Sequence, residues 1–320
     1  MKKTIKKITI RTAALLLLMA MALSSCSFGG KSETAFDPEE ENESSLPETG
    51  AEDAKTGSDG EEESETREEV LFTEEEVLIP ENTSEPEPEE EAVRILDGQE
   101  SVTGKGNIAL SVRSNLDPDK PMIALTFDDG PSAYTMDIMA LLEKYGGRST
   151  FFVVGEMLEK RSEELQHMID EGHEIASHTW SHTNLRKVSK EEGKEAMNSV
   201  ITYIKDNYGY SIKLCRPPYG ASNATVKEEA GELGIALVIW SVDTLDWSTR
   251  NAEATFKAVK KEAKDGAIIL CHDIHKPTAE SMKQVIPWLH EEGYQLVTVQ
   301  ELLYYKNEGA TAGKTYYSAG

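Results

Sequence analysis

Met122-Ile123-Ala124-Leu125-Thr126-Phe127-Asp128-Asp129-Gly130 decides how this chain is read. An apolar, strand-like run ends here in two adjacent carboxylates. On an extended chain neighbouring side chains point in opposite directions, so Asp128 and Asp129 can serve different roles, one ligating a metal and one reaching into a pocket. Fifty residues after Asp128 comes His178-Thr179-Trp180-Ser181-His182, two imidazoles four apart, a spacing that on a helix puts both on one face. One carboxylate and two imidazoles make a three-ligand site with open positions, the arrangement of hydrolytic metal centres rather than closed structural ones. The other carboxylate is left to act as a base. Taken singly, an acidic pair before Gly-Pro is often only a turn, and a lone His-x-x-x-His is often a solvated helix face. No Glu follows His178, so the His-Glu-x-x-His peptidase pattern is missing and Asp128 is the candidate base.

Outward from that run, short apolar stretches alternate with amphipathic ones. The pattern predicts strands over 123–127, 150–154, 174–177, 213–216, 236–241, 267–271 and 295–299. Helices are predicted over 132–145, 163–171, 189–208, 224–233, 252–264 and 276–292. Ser132 and Ser189 read as N-caps, and Gly146, Gly172, Gly209, Gly234 and Gly293 stand just past helix ends. Alternation of this kind, with strands apolar on both faces, indicates an α/β fold with a parallel sheet. Every polar motif falls at the C-terminal end of a strand, where barrel-like α/β enzymes hold their active sites.

Three further strand ends carry polar motifs. In Arg216-Pro217-Pro218-Tyr219-Gly220 two prolines remove two amide donors, which makes the Tyr219 amide a candidate single donor to an oxyanion. In isolation such a pentapeptide is more often a surface turn. In Asp243-Thr244-Leu245-Asp246-Trp247, Trp247 is suited to wall a small apolar pocket and Asp246 to orient a histidine. Ile268-Ile269-Leu270-Cys271-His272-Asp273 offers that histidine, with Leu270 and His272 on one face by period-two alternation. Alone, His272 would read as a satisfied core histidine. The spacing of His275 gives it no role, and it reads as solvated or structural.

In this order the five segments resemble the five motifs of the polysaccharide deacetylases of carbohydrate esterase family 4, the NodB homology domain, over roughly 116–306. The resemblance implies a distorted (β/α)7 barrel forming a single catalytic domain. It implies a divalent metal, usually zinc, with Co2+ as another ion of that class, and metal-assisted removal of acetyl from N-acetylated, occasionally O-acetylated, sugars. Carried over residue by residue, Asp129, His178 and His182 hold the metal and Asp128 is the base, kept ionised and aimed by Arg216. The backbone amide of Tyr219 stabilises the oxyanion. His272, held protonated by Asp246, gives a proton to the leaving nitrogen, and Trp247 and Leu270 enclose the acetyl methyl. An Asp-His-His set also suits non-haem iron oxygenases, but their close His-x-Asp/Glu pair is absent.

Residues 1–25 read as a signal sequence, with Lys2, Lys3, Lys6, Lys7 and Arg11 before an apolar core over 13–23. That core is short for a membrane span. Leu23-Ser24-Ser25-Cys26 resembles the lipobox of bacterial lipoproteins, which implies lipidation of Cys26; an ordinary secretory signal is the plainer alternative. Residues 26–104 read as an acidic tether. Within it, 31–92 holds 25 Asp+Glu against 3 Lys+Arg, so 22 of the chain's 25 net negative charges lie there. Such a segment buries too little apolar surface to offset its ordering entropy. Leu46-Pro47-Glu48-Thr49-Gly50 matches a sortase signal, but no apolar stretch and basic tail follow it. The catalytic domain is expected over 105–306 and a C-terminal tail over 307–320.

No basic patch with interleaved aromatics appears, which argues against nucleic acid. Cys215 and Cys271 form no disulfide framework and read as buried thiols. The expected protein is a monomer outside the cytoplasm, lipid-anchored to the membrane and facing the cell wall. Its expected partner is a cell-wall glycan: N-acetylglucosamine of peptidoglycan fits best, with N-acetylmuramic acid, chitin oligomers, poly-N-acetylglucosamine and acetylated xylan open. The alternative from another class is a non-catalytic wall-glycan binding lipoprotein.

Overall fold

The computed structural model describes residues 99–320. The expected signal sequence, Cys26 and the acidic tract up to 98 lie outside the described residues. In chain order come β1 (Gln99–Val102), β2 (Leu110–Arg113), β3 (Met122–Asp128), α1 (Thr135–Lys144), β4 (Thr150–Val153), α2 (Gly155–Leu158), α3 (Ser162–Asp170) and β5 (Glu174–Ser177). Next are α4 (Lys190–Tyr208), β6 (Leu214–Cys215), α5 (Ala224–Glu232), β7 (Ala236–Val238), β8 (Val242–Asp243), α6 (Asp246–Thr249) and α7 (Ala252–Glu262). The chain ends with β9 (Ala267–His272), α8 (Lys276–Glu291), β10 (Gln295–Leu296), α9 (Val299–Asn307) and β11 (Thr315–Tyr316). None of these helices is long and apolar enough to cross a membrane.

Strands β3 to β11 form one parallel sheet in the order β11-β7-β6-β5-β4-β3-β9-β8. Near the start of β3, β10 pairs with Met122 and Ile123. Since β7 and β8 belong to the single run 236–243, whose first part pairs with β6 and whose last part pairs with β9, the sheet is curled round on itself. This is the irregular α/β barrel that the motifs imply.

Alternation along β3 divides the interior. Ile123, Leu125 and Phe127 join the layer between sheet and helices, while Met122 and Ala124 pack inside the curl with Phe152, Ala176, Leu214, Val238 and Ile268. The inward face of β3 continues through Thr126 to Asp128, both buried, so the apolar lining turns polar where the strands end.

All seven predicted strands are present, but their ends differ. Of the run predicted over 236–241 only β7 is strand, with β8 starting just beyond its predicted end, and 295–299 shortens because Thr298 becomes the N-cap of α9 in a capping box with Glu301. Ser189 caps α4 in the same way, with Glu192. Ser132 does not cap α1, which starts at Thr135; its hydroxyl instead accepts from the Tyr134 amide and donates to the Asp273 carbonyl.

The folded unit also reaches beyond the expected 105–306. β1 lies in the stretch read as tether and pairs antiparallel with β2, and the expected tail over 307–320 carries β11, which pairs with β7. Ala310, Tyr316 and Ala319 are buried with Ile108, Leu110 and Val112 against the N-terminal end of the curl. Segments this short show no hydrophobic period, which is why the sequence does not announce them. Cys215 and Cys271 are free and buried, as expected.

Candidate metal centre and active site

Asp128 ends β3 facing inward, and Asp129 follows in a left-handed conformation, φ 72°. The histidines come from the loop after β5. Residues 178–182 are not helical, as the i, i+4 spacing suggests, but a loop bent by left-handed backbone at Thr179 (φ 66°) and His182 (φ 52°). Hydrogen bonds from outside hold that bend: Gly155 N–H to Thr179 O at 3.2 Å, Glu156 N–H to Trp180 O at 3.0 Å and Trp180 N–H to Ala196 O at 2.9 Å. A Cβ on Gly155 would stand 2.4 Å from the Trp180 ring, so only glycine lets α2 approach.

The bend brings His178 Nε2 to 3.5 Å and His182 Nε2 to 3.4 Å from Asp129 Oδ1, and the three donor atoms lie within 4.8 Å of one another. His178 Nδ1–H donates to Arg216 O at 2.7 Å, which leaves the Nε2 lone pair for a ligand. Burial pushes the His178 pKa down to about 3, so the ring is neutral, as metal ligation requires. Asp129 Oδ1 is buried with no hydrogen-bond partner. A donor-free carboxylate oxygen facing two imidazole nitrogens fits a divalent cation. An O, N, N set of this kind suits zinc and cobalt alike.

Beside it, Arg216 is wholly buried. Its Nη1 donates to Asp128 Oδ1 at 2.6 Å and to Thr126 Oγ1 at 2.8 Å, its Nη2 donates to Ile239 O at 3.0 Å, and it stacks 4.0 Å from the Phe152 ring. Burial raises the Asp128 pKa above its ordinary value although the Arg216 charge and hydrogen bond pull it back. The pair fixes the direction of the Asp128 carboxylate. The net shift, however, is toward stronger basicity, because desolvation outweighs the guanidinium.

Asp128 and His272 are register partners on the adjacent parallel strands β3 and β9, so they stand side by side at the mouth. His272 Nδ1–H donates to Asp246 Oδ1 at 2.9 Å, and Asp246 Oδ2 accepts from the His272 amide at 2.8 Å and from Thr278 Oγ1 at 2.7 Å. Burial alone would lower the His272 pKa, but the Asp246 hydrogen bond and the charges of Asp128, Asp246 and Asp129 outweigh it and hold the imidazole above its usual value.

Tyr219 follows the two prolines with φ 61°, and its exposed ring lies 4.7 Å from His182. Trp247 is tied to the Asp246–His272 pair through its amide, which donates to Asp246 Oδ1 at 2.9 Å. Leu270 is buried, with its carbonyl accepting from Thr244 Oγ1 at 2.7 Å. Sequence reasoning passed over Thr126, Thr244 and Thr278, which fasten Arg216 and Asp246. The one visible signal was Thr126, a hydroxyl inside an otherwise apolar strand. It also gave no role to His275, which is buried and accepts from Arg250 through Nδ1.

The polysaccharide deacetylase family model matches residues 115–238. The solved structure of the peptidoglycan deacetylase PdaC from Bacillus subtilis superimposes with a TM-score of 0.58 at 39% identity, covering 60% of this chain and 94% of that one. The chain belongs to the polysaccharide deacetylase family. The peptidoglycan-N-acetylglucosamine deacetylase PgdA of Listeria monocytogenes is 38% identical over 72% of this chain and 49% of its own length. Full-length PdaC, described as a peptidoglycan-N-acetylmuramic acid deacetylase, is 39% identical over 61% of this chain and 41% of its own. The chain thus spans about half the length of the curated relatives it matches. A family 4 acetyl xylan esterase from Clostridium thermocellum, solved with a cobalt ion, has a TM-score of 0.57 at 30% identity and covers 62% of this chain and 98% of that one.

Proposed function

We propose that this protein removes N-acetyl groups from cell-wall glycan, with the N-acetylglucosamine of peptidoglycan as its substrate. The observation that carries this reading is the register pairing of Asp128 with His272 beside the Asp129, His178 and His182 set. A carboxylate and an imidazole with raised affinities for a proton, on neighbouring strands, suit opposite halves of one amide hydrolysis.

Asp129, His178 and His182 would hold one divalent ion, zinc in first place. Such an ion supplies Lewis acidity toward a carbonyl oxygen and toward water. Asp128, aimed by Arg216, takes the proton of the attacking water. The Tyr219 backbone N–H donates to the oxyanion that forms on the acetyl carbon. His272, oriented by Asp246, delivers a proton from Nε2 to the sugar nitrogen as the C–N bond breaks, since an amine leaves poorly without one. Trp247 and Leu270 enclose the methyl and exclude larger acyl groups. Lipid on Cys26 and the acidic tether would hold this chemistry outside the cytoplasm, at the membrane and facing the wall. A second reading, N-acetylmuramic acid as the deacetylated sugar, is favoured by the similarity to PdaC.

The test is acetate release from isolated wall peptidoglycan, chito-oligosaccharides and acetylxylan, with and without a chelator, followed by mass analysis of the sugars. Chelator-sensitive release from peptidoglycan, with N-unsubstituted glucosamine residues left in the glycan, is expected. N-unsubstituted muramic acid residues would select the second reading, and release from acetylxylan alone would overturn both. No release from any glycan would favour a wall-binding lipoprotein.

A further inference from the structure

The one-turn helix α6 is flanked on both sides by left-handed non-glycine residues, Leu245 (φ 54°) and Arg250 (φ 47°). That conformation is unfavourable for any residue with a Cβ, so the turn has to be held from outside. Arg250 holds it. Its amide donates to Asp246 O at 3.1 Å, its Nε donates to Trp247 O at 2.7 Å, and its Nη1 donates to Nδ1 of His275. Among the described residues no carboxylate lies within ion-pair distance of Arg250, so its guanidinium serves these acceptors rather than a charge partner.

His275 is buried just before α8, and its carbonyl accepts from the Thr278 amide at 3.0 Å. Thr278 Oγ1 in turn donates to Asp246 Oδ2, and Asp246 Oδ1 accepts from the Trp247 amide. A closed ring results: Asp246, Thr278, His275, Arg250, Trp247 and back to Asp246. Trp247 is 49% exposed, so its indole has few packing neighbours and is placed mainly through its backbone. Both polar backbone atoms of Trp247 are bonded within this ring. His275 can accept from Arg250 only as the neutral tautomer with a lone pair on Nδ1, and burial together with the Arg250 charge disfavours its protonated form.

We propose that Arg250 and His275 are positioning residues that clamp α6, fix Trp247, and thereby set how sharply the acyl pocket prefers acetyl over longer acyl groups. The proposal rests on the deacetylase reading above. It assigns neither residue to the reacting atoms, so proton delivery by His272 is left intact when the clamp is removed.

Two readouts test it. Protein labelled with 5-fluorotryptophan carries four fluorine reporters, one for each tryptophan, and Trp247→Phe assigns the one at 247. In His275→Ala the Trp247 signal should shift and sharpen while the other three stay. Arg250→Lys, which keeps the charge but not the forked geometry, should behave alike. His275→Asn, whose Oδ1 can stand where Nδ1 stood, should restore the wild-type signal. The second readout is the ratio of kcat/KM for N-acetyl and N-propionyl chito-oligosaccharides. It should fall by about tenfold in His275→Ala, the scale of one methylene in an apolar pocket. The ratio of amide to aryl-ester hydrolysis should stay constant. An unmoved Trp247 signal in an active enzyme, or a moved signal with unchanged acyl preference, would overturn the clamp. Selective loss of amide hydrolysis would place the effect on His272 instead and overturn it equally. A wild-type protein silent on every glycan would sink the deacetylase reading and the acyl-pocket role together, whatever the fluorine signals do.

Discussion

The two ends of the curled sheet use left-handed backbone in opposite ways. Where helices end and strands begin, Gly146, Gly172, Gly234, Gly266 and Gly293 take it, at φ 66° to 85°. Where strands end, it is taken by Asp129, Thr179, His182, Tyr219, Leu245 and Arg250. Each of these costs about 1–2 kcal/mol relative to a right-handed alternative. The ion pairs differ in the same sense. At the first end Arg113 makes a forked pair with Glu301, at 2.7 and 2.9 Å, and also donates to Gly146 O and Leu296 O. At the other end Asp129 Oδ1 is buried with no donor. One end is built to satisfy its groups, while the other holds polar groups against their local preference, as sites of chemistry do.

The sharpest break of this contrast is at the ligands. His178→Ala should lose both bound metal and acetate release while the fold survives, read by elemental analysis and by far-ultraviolet circular dichroism. Full metal content in that variant would remove the assignment. Asp128→Asn should keep the metal yet lose turnover by a factor of roughly 10²–10⁴, the scale of a general base. Near-normal turnover there would move the base elsewhere.

His272 comes next. Departure of an amine needs a proton, whereas a phenolate leaves an aryl acetate without one. His272→Ala should therefore lower the amide-to-ester ratio of kcat/KM by about 10², and equal losses on both substrates would mean that it does not act as the acid. In the wild type, amide hydrolysis should decline as pH rises through the raised pKa of His272, because the acid form is then lost. Asp246→Asn removes the carboxylate that raises this pKa, so its decline should begin at lower pH.

How far the sequence reaches follows the same division. The glycine punctuation and apolar strands make the architecture readable, because each obeys a local rule of propensity or period. The residues of the site were also nameable, through five motifs in order. Their geometry was not. Spacing puts His178 and His182 on a helix face, whereas left-handed kinks at Thr179 and His182 bring them to Asp129 in a loop, and nothing in a Thr or His announces such a kink. The satellites were equally silent. Thr244 and Thr278 matter only because the fold sets them against Asp246, and the strand Thr315–Tyr316 is too short to carry a pattern.

At the opposite end the effects should fall on stability and not on catalysis. Arg113→Ala leaves Glu301, whose side chain is 1% exposed, as an unpaired buried charge and strips two carbonyls of a donor. A loss of about 3–5 kcal/mol in urea unfolding is expected, with kcat and metal content unchanged wherever the protein remains folded. A fall in kcat instead would show that the two ends are coupled.

The smallest effect comes from an ionisable group at this end that departs from the pattern. Glu174 is buried at the start of β5. Its Oε2 accepts from Thr150 Oγ1 at 2.6 Å and from the Gln300 amide at 3.2 Å, but its Oε1 has no partner. Burial pushes its pKa up from 4.5 to about 7. Below pH 4.5 the folded and unfolded chains both hold the proton, and its contribution to stability is complete. Between 4.5 and 7 the unfolded chain releases the proton while the folded one keeps it, so stability falls as pH rises and levels off once the folded form has ionised. The loss across this window should be on the order of 3 kcal/mol, since each tenfold change in proton affinity is worth about 1.4 kcal/mol. Glu174→Gln cannot ionise, so the difference in unfolding free energy between variant and wild type should drift in the variant's favour from pH 4.5 to 7. A difference that stays flat over that range would mean that Glu174 ionises as easily in the folded protein as in the unfolded chain, and that this end of the molecule has no unsatisfied charge after all.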